Sequence, residues 1–183
     1  MLHPAYEIVG DRHHERPLVV TCEHASNRLP EEIEASPEDR PWLETHWGWD
    51  PGAAAVTRAL IEHKDCVAIM SRFSRLVCDP NRHVEEWDWI RERCEDYELS
   101  FNRHLSDEER QRRRATYHEP FHAEVDACLS ERLARGGERL RVALAVPPRL
   151  RELLRTPRGL VLHAPQVAQH EVRSRLGSFR GFL

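Results

Sequence analysis

The chain has 183 residues, of which 40% are hydrophobic and 32% charged, and carries a formal charge of −4. That length suits one ordinary domain with a real core, and the composition excludes a disordered chain, a collagen-like fibre and a mini-protein held by staples. No window approaches the run of about 18 apolar residues that spans a bilayer, and MLHPAYEIVGDRHHERP lacks the features of a secretory signal, so no membrane contact and a cytoplasmic location are expected.

Pro17 to Cys22 (PLVVTC) is a short β-branched run that suits a buried parallel strand, with the polar stretch Glu23 to Pro30 at its C-terminal end. Asp50-Pro51 followed by GAAAVTRALIEH reads as an N-cap, a proline in the first turn and an amphipathic helix to about His63. CVAIM (66–70) and RLVCD (75–79) are two further strand candidates. The strand, helix, strand order predicts an α/β fold, a mostly parallel or mixed sheet flanked by helices, with its ligand site at the strand ends. Ser106-Asp-Glu-Glu109 is a capping box that opens a long helix; Pro120 is expected to kink or divide it and Gly136-Gly137 to end it.

Residues 1–137 hold 28 acids against 18 bases, whereas 138–183 hold 3 against 9, with one lysine, Lys64, in the whole chain. The two parts are therefore read separately, as an α/β domain over 1–137 and a divergent Arg-rich segment over 138–183. In the latter, RVALAV (141–146) and GLVLHA (159–164) are strand candidates, and the region beyond Pro147 is expected to be the least ordered. It reads either as a basic surface tail or as the Arg-, Pro- and Leu-rich text that a shifted frame yields in a GC-rich gene. It lacks interleaved aromatics, so no nucleic-acid partner is expected. Five widely spaced cysteines without a CxxC suggest reduced, mostly buried thiols.

Three segments can carry chemistry. Cys22-Glu23-His24-Ala25-Ser26-Asn27 leaves the tip of the first strand, where a carboxylate and an imidazole can bind a metal or move protons; a solvated loop histidine is the plainer alternative. In His46-Trp-Gly-Trp-Asp50 the His and Asp are four apart, on one face if the segment is helical, while Asp50 also reads as the N-cap alone. Ser74 to Arg82 (SRLVCDPNR) sets two arginines around an Asp-Pro-Asn turn: a fork for a carboxylate, a cation for a developing oxyanion, and Asp79 to orient a guanidinium. His13-His14 and the pair His118/His122 read as readily as surface residues.

CEHASNRLP (22–30), HWGWDPGA (46–53), SRLVCDPNR (74–82), then Asn102, Arg110 and TYHEPFH (116–122), in this order, resemble the N-formylglutamate amidohydrolase family over roughly residues 15 to 135. The resemblance implies a fold like that of zinc carboxypeptidases and aspartoacylase, and hydrolysis of an N-formyl or N-acyl acidic amino acid such as N-formylglutamate to the free amino acid and a carboxylate. It implies Zn2+ or another divalent metal on His24 and Asp50, with His46 as a substitute. It assigns the substrate carboxylate to Asn81 and Arg82, the amide carbonyl to Arg75, and to Glu23 either proton transfer or the orientation of His24.

The family pattern continues into a strand ending in a His-Ser-Phe-Thr-Pro-like segment and a later strand with an acid that looks like the general base. Here Pro147-Pro148-Arg149 follows RVALAV; the later histidines are His163 and His170 and the later acids Glu152 and Glu171. A fold incomplete at its C-terminus is therefore expected, and the alternative to the enzyme is a non-catalytic or truncated homologue that keeps only the carboxylate-binding fork.

Overall fold

In a computed structural model, residues 3–14, 18–64, 66–134 and 141–144 are described. In chain order the elements are β1 (Tyr6–Gly10), β2 (Leu18–Cys22), α1 (Arg40–Leu43), α2 (Ala53–Lys64), β3 (Val67–Ser71), β4 (Arg93–Cys94), β5 (Tyr97–Glu98), α3 (Asp107–Arg113), a π-helical turn (Arg114–His118), α4 (Glu119–Ala134) and β6 (Arg141–Leu144). The main sheet runs β1-β3-β2-β6, with β1 antiparallel to β3 and the other pairs parallel, so the fold is α/β with a mixed sheet.

The strand period of two explains how the sheet is covered. Val19, Val67 and Ile69 face Phe121 and Cys128 of α4, while Val20, Cys22, Ala68 and Met70 face Ala53 and Ile61 of α2. Because both faces are packed, β2 and β3 are apolar without alternation, as the sequence pattern predicts. β6 pairs with β2, Val142 opposite Val19, so the sheet takes in four residues of the RVALAV strand and reaches past residue 137. The candidates beyond Leu144, including GLVLHA, His163 and His170, lie outside the described residues, as do Gly136 and Gly137.

Two local expectations are corrected, a third is refined, and one strand is new. Arg75 to Asp79 is not a strand: the Val77 N–H donates to Ser74 O (2.9 Å), the Asp79 N–H to Trp89 O (2.8 Å), and Leu76, Val77 and Cys78 enter a loop core with Phe73, Trp89 and Phe101. Burial alone makes this triplet apolar, without a sheet partner. β1, with only a half-exposed five-residue pattern, is an element that sequence reading missed. Asp50 does not cap α2, because the helix begins at Ala53 and the Val56 N–H bonds Gly52 O, with Gly52 at φ 91°. The α-helical run is interrupted next to Pro120, as expected, but by a π turn ahead of the proline, where the Glu119 N–H bonds Arg114 O, and α4 then runs on through it. This wider turn precedes a proline that offers no N–H to the preceding turn.

The Ser106 cap forms, its hydroxyl accepting the Glu109 N–H at 3.2 Å, although the Glu109 carboxylate turns to Arg112 and Arg113 instead of reaching back. All five cysteines are buried thiols, and burial pushes Cys22 up to about 12. Among the described residues no helix is long and apolar enough to cross a membrane.

Candidate active site at the strand tips

His24 lies two residues beyond β2, Asp50 ahead of α2, and Asp79 eight residues beyond β3, so the loops at the C-terminal ends of two parallel strands bring all three together. His24 Nδ1 is 3.1 Å from Asp50 Oδ2 and Nε2 is 2.8 Å from Asp79 Oδ1. Both neighbours are carboxylate acceptors, so both ring nitrogens donate and the ring is an imidazolium. Burial works against that charge, but the bonds to Asp50 and Asp79 outweigh it and raise the His24 pKa to about 9. Burial likewise opposes ionisation of Asp79, yet His24 and Arg75 hold it down at about 2. Arg75 donates to Asp79 Oδ2 from Nε (3.0 Å) and Nη2 (2.6 Å), and its Nη1 stands 3.9 Å from Asp50 Oδ1. Asp50, His24, Asp79 and Arg75 thus form a chain of alternating charge whose sum is zero, and this pairing is what makes their burial tolerable.

Backbone bonds stitch the loops under this chain. The Asp50 N–H donates to His24 O (3.1 Å), Ser74 N–H to Arg28 O (2.8 Å) and Arg75 N–H to Gly48 O (3.1 Å). Gly48 O also accepts the Ser74 hydroxyl at 2.7 Å. A Cβ at Gly48 would meet the Leu43 carbonyl oxygen at 2.4 Å, so only glycine lets the Trp-Gly-Trp loop close this tightly beneath Arg75.

Glu23 accepts the Thr21 hydroxyl (2.7 Å), and burial pushes its carboxyl above the usual range. Asn81 and Arg82 sit in a turn in which the Asn81 N–H bonds Asp79 Oδ1 (2.8 Å) and the Arg82 N–H bonds Asp79 O (3.0 Å). The Arg82 guanidinium spans Glu86 (3.1 Å) and Asp88 (3.3 Å). His46 is not brought to the site: its segment folds as turns on Thr45 O instead of a helix, so the four-residue spacing gives no common face, and the exposed ring leans on Trp47. The orientation of Arg75 by Asp79 was foreseeable within one segment; the bond between Asp79 and His24 was not.

The implied metal meets a poor set of donors. A catalytic zinc takes three protein ligands through lone pairs, whereas the imidazolium of His24 offers none and each carboxylate faces it from an opposite side. Among the described residues no group of three or more His, Cys, Asp or Glu is placed to hold an ion. The residues on view do not fit the metal.

A buried residue that the sequence reading passed over is Arg113, 1% exposed. It bonds Asn102 Oδ1 (2.6 Å) and Val77 O (3.0 Å), while Asn102 Nδ2 donates to Leu76 O and Arg91 O. Arg110, which the sequence pattern singled out, instead pairs with Glu92. Arg113 stands within the run Arg112-Arg113-Arg114, which reads as a solvated charged face, so no local signal marks it. The indole N–H groups of Trp47, Trp49 and Trp89 are buried in the loops around the site without an acceptor.

Comparison with known proteins follows the same outline. The family model described as N-formylglutamate amidohydrolase matches residues 16–152. Among solved structures, a gene product of Agrobacterium tumefaciens is 32% identical, with a TM-score of 0.69 over 76% of this chain and 55% of that one. An N-formylglutamate amidohydrolase from Ralstonia eutropha is 21% identical, with a TM-score of 0.60 over 86% of this chain and 63% of that one, a likeness of fold. The chain thus spans less than two thirds of either structure's length. No curated protein matches the chain.

Proposed function

Starting from a chain that belongs to the N-formylglutamate amidohydrolase family, we propose that it hydrolyses the amide of a small N-acyl acidic amino acid, N-formylglutamate first among those to test. The observation that carries this reading is the buried charge chain Asp50–His24–Asp79–Arg75 at the strand tips. Such a chain keeps a cation fixed in a poorly solvated place, where it is most effective against developing negative charge.

Hydrolysis adds the oxygen of water to the carbonyl carbon and returns a proton to the leaving nitrogen. Arg75 is assigned the carbonyl oxygen: two of its nitrogens are tied to Asp79, which leaves Nη1 to donate as charge develops. Glu23 is assigned the proton transfer, since a carboxyl with a raised pKa gives up and regains a proton closer to neutral pH than an ordinary one. Arg82 and Asn81 are assigned the substrate carboxylate, for which Arg82 would exchange the exposed Glu86 and the buried Asp88, which keeps Arg91 as a partner. No step is routed through a metal. The second reading, a binding homologue without turnover, is favoured by the residues after RVALAV, where Pro147-Pro148-Arg149 stands in place of the family's His-Ser-Phe-Thr-Pro-like segment.

The test is release of glutamate from N-formylglutamate by the full chain, with and without added divalent metal. Release that is lost in Arg75→Ala is the expected result. Binding of N-formylglutamate without release in either arm replaces the enzyme by the second reading, and neither binding nor release overturns both.

A further inference from the structure

The π-helical turn brings three donors onto one side of the helical region, at positions 113, 118 and 122. A π turn closes in five residues, so Arg113 and His118 fall one turn apart, and His122 follows four residues later on the same face. All three donate to backbone carbonyls of one segment. Arg113 Nη1 bonds Val77 O at 3.0 Å, His122 Nε2 bonds Pro80 O at 2.9 Å, and His118 Nε2 bonds Arg82 O at 3.1 Å. A carbonyl oxygen only accepts, so both imidazoles carry their proton on Nε2. Their rings pack 4.4 Å apart, with Trp89 edge-on to His118 and Phe121 edge-on to His122. The pair is therefore a built, half-buried contact and not a solvated surface pair.

The segment they hold is a turn without strand neighbours. Asp79 closes it from inside, through its own carbonyl to the Arg82 N–H and its carboxylate to the Asn81 N–H. Those bonds tie one side of the turn to the charge chain through Asp79, which His24 and Arg75 hold, and the carbonyls of Pro80 and Arg82, on either side of Asn81, are where a second element can take hold. We infer that His118 and His122 are positioning residues that hold the Asn81–Arg82 turn in register with the charge chain and so set the affinity for the substrate carboxylate. The carboxylate part rests on the function proposed above, whereas the clamp rests on the contacts alone. Burial and the neighbouring His122 hold His118 down at about 4, so it clamps as a neutral donor.

The experiment uses the full chain with alanine and glutamine at each position, since a glutamine amide supplies an N–H near that of Nε2. Steady-state kinetics with N-formylglutamate, hydrogen exchange at the Asn81 and Arg82 amides, and the thermal midpoint are measured together. For His118→Ala and His122→Ala, KM is expected to rise about 3- to 10-fold with kcat little changed, and the two amides to exchange faster by a similar factor. His118→Gln and His122→Gln are expected to recover most of both effects. Should an alanine variant fail to fold, asparagine, too short to reach the carbonyl, takes its place. A lowered thermal midpoint with KM and exchange as in the parent overturns the proposal and leaves two packing residues. If the parent shows no turnover, the functional reading has failed and exchange decides alone: faster exchange that glutamine restores supports the clamp, and unchanged exchange overturns it.

Discussion

Nε2 of His24 and Oδ1 of Asp79 are 2.8 Å apart although 55 residues separate them in the chain. The side chains are 9% and 5% exposed, so neither charge has much water to fall back on. The pair couples the loop after β2 to the loop after β3, and with Arg75 and Asp50 it decides the electrostatics of the site.

His24→Asn is expected to destabilise the protein by about 3 kcal/mol, because removing one partner of a buried pair leaves the other charge without full compensation. Urea unfolding of parent and variant measures it. A difference below about 1 kcal/mol, the range of surface pairs, would show that the pair is effectively solvated.

The pH dependence of stability follows from the same residues. The pKa of His24 is raised from 6.5 to about 9 on folding, so its contribution is complete below about 6.5 and is lost as pH rises through about 9. Asp79 is lowered from 3.8 to about 2, so its contribution is complete above about 4 and is lost as pH falls toward 2. Unfolding free energy measured across pH is expected to be highest between these limits and to decline on the alkaline side, and His24→Asn is expected to flatten that alkaline decline. A variant with the parent's alkaline arm would assign the titration to another group.

Arg75 and Arg82 are expected to fail differently. On the proposed reading Arg82→Ala removes a contact that a substrate carboxylate makes in ground and transition states alike, so KM should rise about 10- to 100-fold with kcat held. On the proposed reading Arg75→Ala removes the Nη1 donor that meets the developing charge, and also the partner of Asp79, so kcat should fall about 100- to 1,000-fold. Steady-state kinetics with N-formylglutamate separate the two, and equal effects on KM alone would refute the division.

Gly48→Ala tests the packing beneath the site. The added methyl meets Leu43 backbone oxygen at 2.4 Å, and backbone does not give way as a side-chain end does. A loss of about 1–3 kcal/mol is expected, with kcat falling through displacement of Arg75, whose N–H is bonded to Gly48 O. Parent-like stability and kcat would show that the Trp-Gly-Trp loop is loose.

The purified protein is expected to hold less than one tight equivalent of zinc, because both nitrogens of His24 are engaged by carboxylates and His46 points elsewhere. Elemental analysis after dialysis against a weak chelator measures it. A full equivalent would mean that His24 gives up its proton and its carboxylate partners to the ion, and would turn the search for a third ligand to His163.

The sequence by itself determined what local pattern can encode. The runs Leu18–Cys22 and Val67–Ser71 are apolar on both faces, and a run of that length with no polar face has few homes other than a doubly covered strand. Ser106 caps its helix because the bond it makes spans three residues. Candidate residues His24 and Arg75 were legible because a strand end and a DPNR turn are local signals, whereas Asp50 read locally as a helix cap and came to the site only through the family resemblance. Only the tertiary structure decided what these residues meet. Asp50 leaves the helix cap for His24 because Gly52, free to take a positive φ, starts α2 two residues later. Arg75 to Asp79 bends instead of extending because the carbonyls that accept its terminal amides, Gly48 O and Trp89 O, come from other loops. His118 becomes a donor to Arg82 O and His122 to Pro80 O only because a π turn rotates them onto Arg113's face. Contacts made across 26, 36, 42 and 55 residues leave no trace in spacing, since nothing local constrains which distant loop supplies the partner.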